Sequence, residues 1–438
     1  MSEYAEIVVQ NLELASFRNY VDPQIVSLFF SERDLTIVDN CKVDESDDDA
    51  GLFTQYVFKT SVKNAKERLD ALGFGVNNFE KLLENKAQEA IDYSAFLDYL
   101  HVDAEEYEIK AKQRIEKYIS PKKWRNSMRK IVEYELKNGN IIYNRNLEDI
   151  GISTECDKVI YHALRDKYAE SFYALNTGVI SKGYIYRLIL ESCEDGDEIS
   201  MDISCLADWA EDCIPKAIEA VKNVEKTIIL LEGSSDKDFL EFAMEQLYPH
   251  LSDLYYFMDF SDENGSRDPG ASFIVKNMKT FYFSKIKARF ISVFDNDAEG
   301  YFSRCTLLND VKKWPDNFRV LLYPEDPLFK HYPTIAPNGS LINDDINKKA
   351  ASIELYLPDC IIQENDNYYP IEWEMRKKNK NVDGKEECLY QGVISNKDKI
   401  KKEFHKLKKQ IKRGEKEFRE IEWMRMKKIL EMVVFAFA

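Results

Sequence analysis

No apolar run in this 438-residue chain approaches the ~20 residues a membrane helix needs. The opening Met-Ser-Glu-Tyr-Ala-Glu is acidic and has no apolar core, so a soluble cytoplasmic protein without a membrane partner is expected. The eight cysteines, at 41, 156, 193, 205, 213, 305, 360 and 388, form no C-x-x-C pair. Cys205 and Cys213 are too far apart for a metal pair, so reduced thiols are expected in place of zinc ligands or a disulfide frame. There is no Walker A motif, so any nucleotide-driven switching must come from a partner. Positive charge is in deficit: 61 Lys+Arg against 78 Asp+Glu give a net charge of −17, which argues against a protein that coats nucleic acid over its whole surface.

What is present is ample core material, 44% hydrophobic and 13% aromatic, enough for two or three domains. The organising stretch runs from Thr227 to Tyr323. Thr227–Leu231 is a short branched apolar run that ends at Glu232-Gly233. Arg289–Phe294 is a second, which ends at Asp295-Asn296-Asp297 and is followed by Gly300. Both read as strands buried on two faces. Ser235–Tyr248, Ala271–Lys285 and residues 299–312 read as helices, with strands at Leu254–Phe260 and Phe318–Tyr323. Alternating strand and helix predicts a doubly wound parallel sheet, whose working residues sit at the carboxyl ends of its strands. Glu232, Asp295 and Asp297 fall there. By itself an Asp-x-Asp pair is more often a loop or capping feature. Converging carboxylates repel by several kcal/mol at an effective dielectric near 20, and a hard divalent cation such as Mg²⁺ relieves that repulsion.

Glu232-Gly233 after one strand and Asp295-Asn296-Asp297 after another resemble the Toprim fold of topoisomerases, primases, OLD-family nucleases and small ribonucleases. The resemblance implies a Mg²⁺ site, with Mn²⁺ as a substitute, at Glu232, Asp295 and Asp297. Glu354, in Ile353-Glu354-Leu355-Tyr356, resembles the further acidic residue of Toprim nucleases. Lys397 and Lys399 are the candidates for a downstream lysine that stabilises phosphate charge. Glu232 is either a metal ligand or a general base, and the sequence leaves both open. Tyr356 reads as packing, because no domain of the kind that accompanies a topoisomerase tyrosine is present.

Residues 1–225 read as mostly helical, with one or two opening strands and a short strand at Phe53–Thr60. Helices are expected at Ser61–Leu72 with Ser61 as cap, Phe79–Leu100, Ala104–Ile119, Trp124–Leu136, Thr154–Leu175, Tyr184–Cys193 and Leu206–Val224. Residues 43–50 and 194–199 read as loops. Phe17-Arg18-Asn19-Tyr20-Val21-Asp22-Pro23 and Arg68-Leu69-Asp70-Ala71-Leu72-Gly73-Phe74 resemble the N-terminal domain of the HEPN/Toprim group, whose members resemble effectors of bacterial anti-phage defence. The HEPN ribonuclease signature, an Arg and a His with four to six residues between them, is found at none of His101, His162, His250, His331 and His405.

The domains expected are 1–225, helical; 226–375, Toprim; and 376–438, a basic helical extension. Lys330–Asp345 reads as a long loop. Residues 376–428 hold 19 Lys+Arg against 9 Asp+Glu, a net +10 that leaves −27 for the remainder. Arg376, Lys377, Lys378 and Lys380 are therefore candidate nucleic-acid contacts, with a solvated, ion-paired helix as the alternative. The expectation is a Mg²⁺-dependent endonuclease acting on RNA such as tRNA, or on DNA. It would be restrained by its helical half or by an activating or inhibiting partner, in a homo-oligomer, a dimer being favoured. A non-catalytic scaffold that binds nucleic acid or a partner is the other class. A primase is disfavoured by the lack of zinc-binding cysteines.

Overall fold

The computed structural model describes residues 4–42, 52–82, 121–138, 151, 182–206, 212–258 and 270–438. The expected loop at 43–50, the helices at 104–119 and 154–175, and His101 and His162 lie outside the described residues. The chain divides into two compact units, Met1–Val224 with Phe437–Ala438, and Glu225–Ala436.

In the first unit β1 (Tyr4–Val9), β2 (Leu12–Arg18), α1 (Pro23–Phe29), β3 (Leu35–Lys42), β4 (Leu52–Ser61) and α2 (Val62–Ala71) are followed by α3 (Pro121–Asn138), α4 (Lys182–Leu190), β5 (Glu198–Asp202) and α5 (Cys213–Lys222). The five strands form one antiparallel sheet in the order β2-β1-β5-β4-β3. Helix still outweighs strand among the described residues of this unit, but the sheet has more strands than the sequence suggests. The strand missed at the centre is β5, Glu-Ile-Ser-Met-Asp, too short and too acidic to announce itself. Its place comes from β1 and β4 on either side, which bury Ile199 and Met201 completely.

The two stretches that resemble the HEPN/Toprim N-terminal domain do structural work. Asp22 caps α1 by accepting from the Gln24 N–H at 3.0 Å, with Pro23 in the first turn. Ser61 caps α2 by accepting from Asn64 N–H at 3.2 Å. In α2, Arg68 is 1% exposed and donates to the Ser27 carbonyl at 2.9 Å. Asp70 receives a two-pronged bond from Arg187, at 2.6 and 3.1 Å. Gly73 ends the helix in the left-handed region at φ 86°, as a C-terminal glycine does. Arg18 is exposed.

The second unit contains β6 (Thr227–Leu230), α6 (Ser234–Leu247), β7 (Tyr255–Phe257), α7 (Ala271–Phe283), β8 (Phe290–Phe294), β9 (Asn296–Asp297), α8 (Ala298–Asp310) and β10 (Phe318–Leu322). Then come β11 (Tyr332–Ile335), β12 (Leu341–Asp344), β13 (Ala350–Ala351), α9 (Asp359–Ile362), β14 (Gln363–Glu364), β15 (Asn367–Tyr368), β16 (Ile371–Lys380), β17 (Glu386–Ile394), α10 (Lys397–Lys412) and α11 (Met424–Val434). Strands β10-β8-β6-β7, in that order, make an all-parallel sheet. All five residues of β8 are buried, which is why its sequence is uniformly apolar apart from Ser292.

Two expectations fail beyond this sheet. The stretch 330–345 is a hairpin: β11 and β12 pair antiparallel around Gly339 (φ 83°), and β11 pairs in parallel with β16. Pro333 and the Pro337-Asn338-Gly339 turn disguised strands that are held by a partner some 35 residues on. The basic segment also begins as strand, since Arg376–Lys380 lie in β16, paired with β17. A boundary at 375/376 therefore falls inside a strand, and only from Lys397 onward is the segment helical. There Gly414 (φ 71°) breaks the helix, and Phe404 packs on Phe239 of α6 with ring centroids 4.3 Å apart.

Candidate metal and phosphate site

The order β10-β8-β6-β7 places a topological switch between β6 and β8. The chain leaves β6 for β7 on one side and returns to β8 on the other. A crevice opens at the carboxyl ends of strands at such a point. Glu232 follows β6 and Asp295 follows β8, and the Asp295 backbone N–H donates to Glu232 Oε1 at 2.9 Å. The contact is close because Gly300, in the first turn of α8, has no side chain. A Cβ there would lie 2.3 Å from the Asp295 carbonyl oxygen and 2.8 Å from Glu232 Oε1.

Asp297 caps α8. Its Oδ1 accepts from Gly300 N–H at 2.8 Å and its Oδ2 from Gln391 Nε2 at 2.8 Å. Gln391 reaches in from β17 and also accepts from Glu299 N–H at 3.0 Å. Asn296, between the two aspartates, is fully buried and bonded to Asn347 and to the Lys348 N–H, which ties the loop down.

Glu354 sits in a 3₁₀ turn (Ile353–Tyr356) and is 1% exposed. Its Oε2 accepts from Ser352 Oγ at 2.8 Å, and its Oε1 faces Lys397 Nζ at 3.1 Å and Lys401 Nζ at 3.9 Å. Lys397 therefore belongs to the cluster. Lys399 does not: it pairs with Glu364 at 2.6 Å and lies over the Tyr369 ring.

Two residues of the site carried no flag in the sequence reading. Asp236, in the first turn of α6, is 5% exposed and accepts from the buried Tyr323 hydroxyl at 3.3 Å. The signal that could have found it is the Glu232-x-x-x-Asp236 spacing, which carries a second carboxylate from the strand end into the first helical turn. Gln391 had no signal, because only the pairing of β16 with β17 brings it to Asp297.

The carboxylates of the site act on one another. Burial pushes Glu232 and Asp295 well above the usual carboxylate range, and their acidic neighbours push in the same direction, Asp297 foremost for Glu232 and Asp236 foremost for Asp295. Burial and then Glu354 raise Asp236 to about 7. Burial also raises Asp297, against the two hydrogen bonds it accepts. Burial alone would lower Lys397, but Glu354, Asp295 and Asp236 outweigh it and hold the ammonium above its ordinary value.

This donor set is all oxygen, crowded and short of positive charge, the chemistry that suits a hard divalent cation. Asp295 Oδ1 is buried without a hydrogen-bond partner. Among the described residues, no group of three or more Asp, Glu, His or Cys is close enough to close around one ion. The set therefore fits an ion that keeps most of its water and takes one or two carboxylates, as Mg²⁺ commonly does. Of the basic strand residues, Lys380 is exposed and pairs in register with Glu386, about 17 Å along β17 from Gln391 at ~3.4 Å per residue. The side chains of Arg376, Lys377 and Lys378 lie outside the described residues.

The second unit is thus a mixed α/β unit with a parallel sheet and an acidic cluster at its switch point. The HEPN/Toprim N-terminal domain 1 family matches residues 1–222, more than half of the chain, and the chain belongs to that family, which ties it to nuclease-related proteins. No curated protein and no solved structure matches the chain. No helix among the described residues is long and apolar enough to cross a membrane.

Proposed function

We propose that the second unit is a Toprim domain and that the chain is a Mg²⁺-dependent endonuclease, with Mn²⁺ as a substitute, acting on phosphodiesters of RNA such as tRNA, or of DNA. The observation that carries this reading is the cluster of Glu232, Asp236, Asp295, Asp297 and Glu354 around Lys397 at the carboxyl ends of β6 and β8. Asp295 and Glu232 would hold the cation, which when bound polarises water and neutralises charge on the scissile phosphate. Asp236, poised near neutrality, is the group able to take a proton from an attacking water. Lys397 presents a fixed positive charge to a phosphate oxygen. Asp297, with both oxygens already hydrogen-bonded, orients the start of α8 and adds negative potential. The resemblance to defence effectors supports a restrained enzyme, working as a homo-oligomer or with a partner protein that releases it.

A non-catalytic Toprim scaffold is the second reading. The ion pair between Glu354 and Lys397 favours it, because it neutralises part of the cluster without a metal. The test is cleavage of plasmid DNA, single-stranded DNA and total tRNA in Mg²⁺, Mn²⁺ or EDTA, with Asp295→Ala beside wild type. Metal-dependent cutting that the variant loses supports the enzyme. Calorimetric Mg²⁺ titration that shows no binding to wild type, together with silence on every substrate, refutes it in favour of the scaffold.

A further inference from the structure

We propose that the outward face of α10 is a nucleic-acid-binding surface that follows the phosphate backbone, with Lys402, Lys406, Lys409, Lys412 and Arg413 as its contacts. It deepens the nuclease reading by naming the surface that presents substrate to the acidic cluster.

α10 carries eight lysines against Asp398 and Glu403, in a chain whose net charge is −17. Its inward face is set by Ile400, Phe404 and Leu407, all buried, at three- and four-residue steps. Lys402, Lys406, Lys409 and Arg413 repeat the same steps two positions on, about 200° around the helix at ~3.6 residues per turn. They therefore lie opposite the packed face, and all four are exposed, as is Lys412.

The lysines of the other faces are engaged. Lys397 and Lys401 face Glu354, Lys399 pairs with Glu364, and Lys408 with Asp238 at 2.5 Å. On the outward face Lys406 has an exposed contact to Glu403 at 3.5 Å and Arg413 one to Glu415 at 3.7 Å, a kind of pair that is worth little. Lys402, Lys409 and Lys412 have no ion pair among the described residues.

Such a stripe is unfavourable in itself, since like charges at i,i+4, as in Lys402/Lys406 and Lys409/Arg413, repel. A solvated face would interleave carboxylates there. A polyanion removes the repulsion and gains counterion release. From Lys402 to Arg413 the stripe runs about 16 Å, or roughly five nucleotide steps of ~3.4 Å. The helix begins at Lys397 inside the cluster, so a strand lying along the stripe is led to Asp295 and Glu354. An anionic membrane is the less favoured polyanion, because the outward face offers no Trp, Phe or Leu to insert and the apolar side of the helix is already packed.

The test is equilibrium binding in EDTA, read by fluorescence anisotropy, so that neither metal nor cleavage is needed. The probes are a labelled 20-nucleotide single strand, the same sequence as a duplex, and labelled tRNA. Wild type is compared with K402Q/K409Q/K412Q and with K287Q/K312Q/K313Q, which removes three exposed lysines elsewhere and leaves the same net charge. The α10 triple is expected to weaken binding at least tenfold at 0.1 M salt. It should also flatten the slope of log K against log salt by about 2 to 3, the loss for three phosphate contacts, while the control triple stays within about twofold of wild type. Equal effects of the two triples, an unchanged slope, or no binding of any probe by wild type overturns the surface. So does loss of phosphatidylserine-vesicle binding with nucleic-acid binding intact. Because the assay contains no free metal and reads no cleavage, failure of the surface and failure of the nuclease reading are separable.

Discussion

Replacing Asp236 with asparagine should stabilise the metal-free protein, and only above about pH 5. An ordinary aspartate titrates near 3.9, whereas Asp236 in the folded site titrates at about 7, through burial and the nearby Glu354. Between those two values the unfolded chain has released this proton and the folded chain still holds it. The folded state therefore binds more protons, and stability falls as pH rises through the window from about 4 to 7. The gap of about three pH units corresponds to roughly 4 kcal/mol of destabilisation that is fully present at pH 8 and absent at pH 4. Asparagine keeps the size and still accepts from Tyr323, but it cannot charge. It also removes a charge that raises Asp295 and Glu232.

Urea or thermal unfolding in EDTA should place Asp236→Asn about 2–4 kcal/mol above wild type at pH 8 and level with it at pH 4.5. For a unit of about 200 residues this is on the order of 5–15 °C in melting temperature. Mg²⁺ should narrow the gap at pH 8, because a cation held by Asp295 and Glu232 would offset the repulsion that an ionised Asp236 meets and that asparagine does not. A variant no more stable than wild type at pH 8, or a gap that does not change with pH, would show that the cluster is not under electrostatic strain.

Gly300→Ala should destabilise the second unit by about 1–3 kcal/mol although alanine is the better helix former, because its Cβ would meet the Asp295 carbonyl oxygen at 2.3 Å; a raised urea midpoint would refute the close approach. Gln391→Leu should cost about 1–3 kcal/mol by leaving Asp297 Oδ2 and the Glu299 N–H without their partner, and Gln391→Glu should cost more, both measurable by chemical denaturation. In the first unit, Asp70→Ala should cost about 2–4 kcal/mol, since among the described residues Arg187 would keep only Glu191; an unchanged midpoint would mean the pair is already solvated.

What the sequence by itself determined is the parallel sheet of the second unit and three of its carboxylates. Short, uniformly apolar runs such as β6 and β8 have one stable use, a strand covered on both faces, and a carboxylate just past each run must lie at the sheet's carboxyl edge. The tertiary structure alone decided what depends on partners distant in sequence. β5 is a strand because β1 and β4 flank it, and the 330–345 stretch is a hairpin because β16 receives it. Gln391 reaches Asp297 only through a β-hairpin that local propensity read as basic helix. Asp236 joins the site by one helical turn, and Lys397, not Lys399, faces Glu354, because the geometry at the start of α10 turns one lysine inward and leaves its neighbour two residues on outside. Short-range pattern carries the elements whose surroundings are uniform. It is silent where one residue's role is set by a side chain ninety residues away.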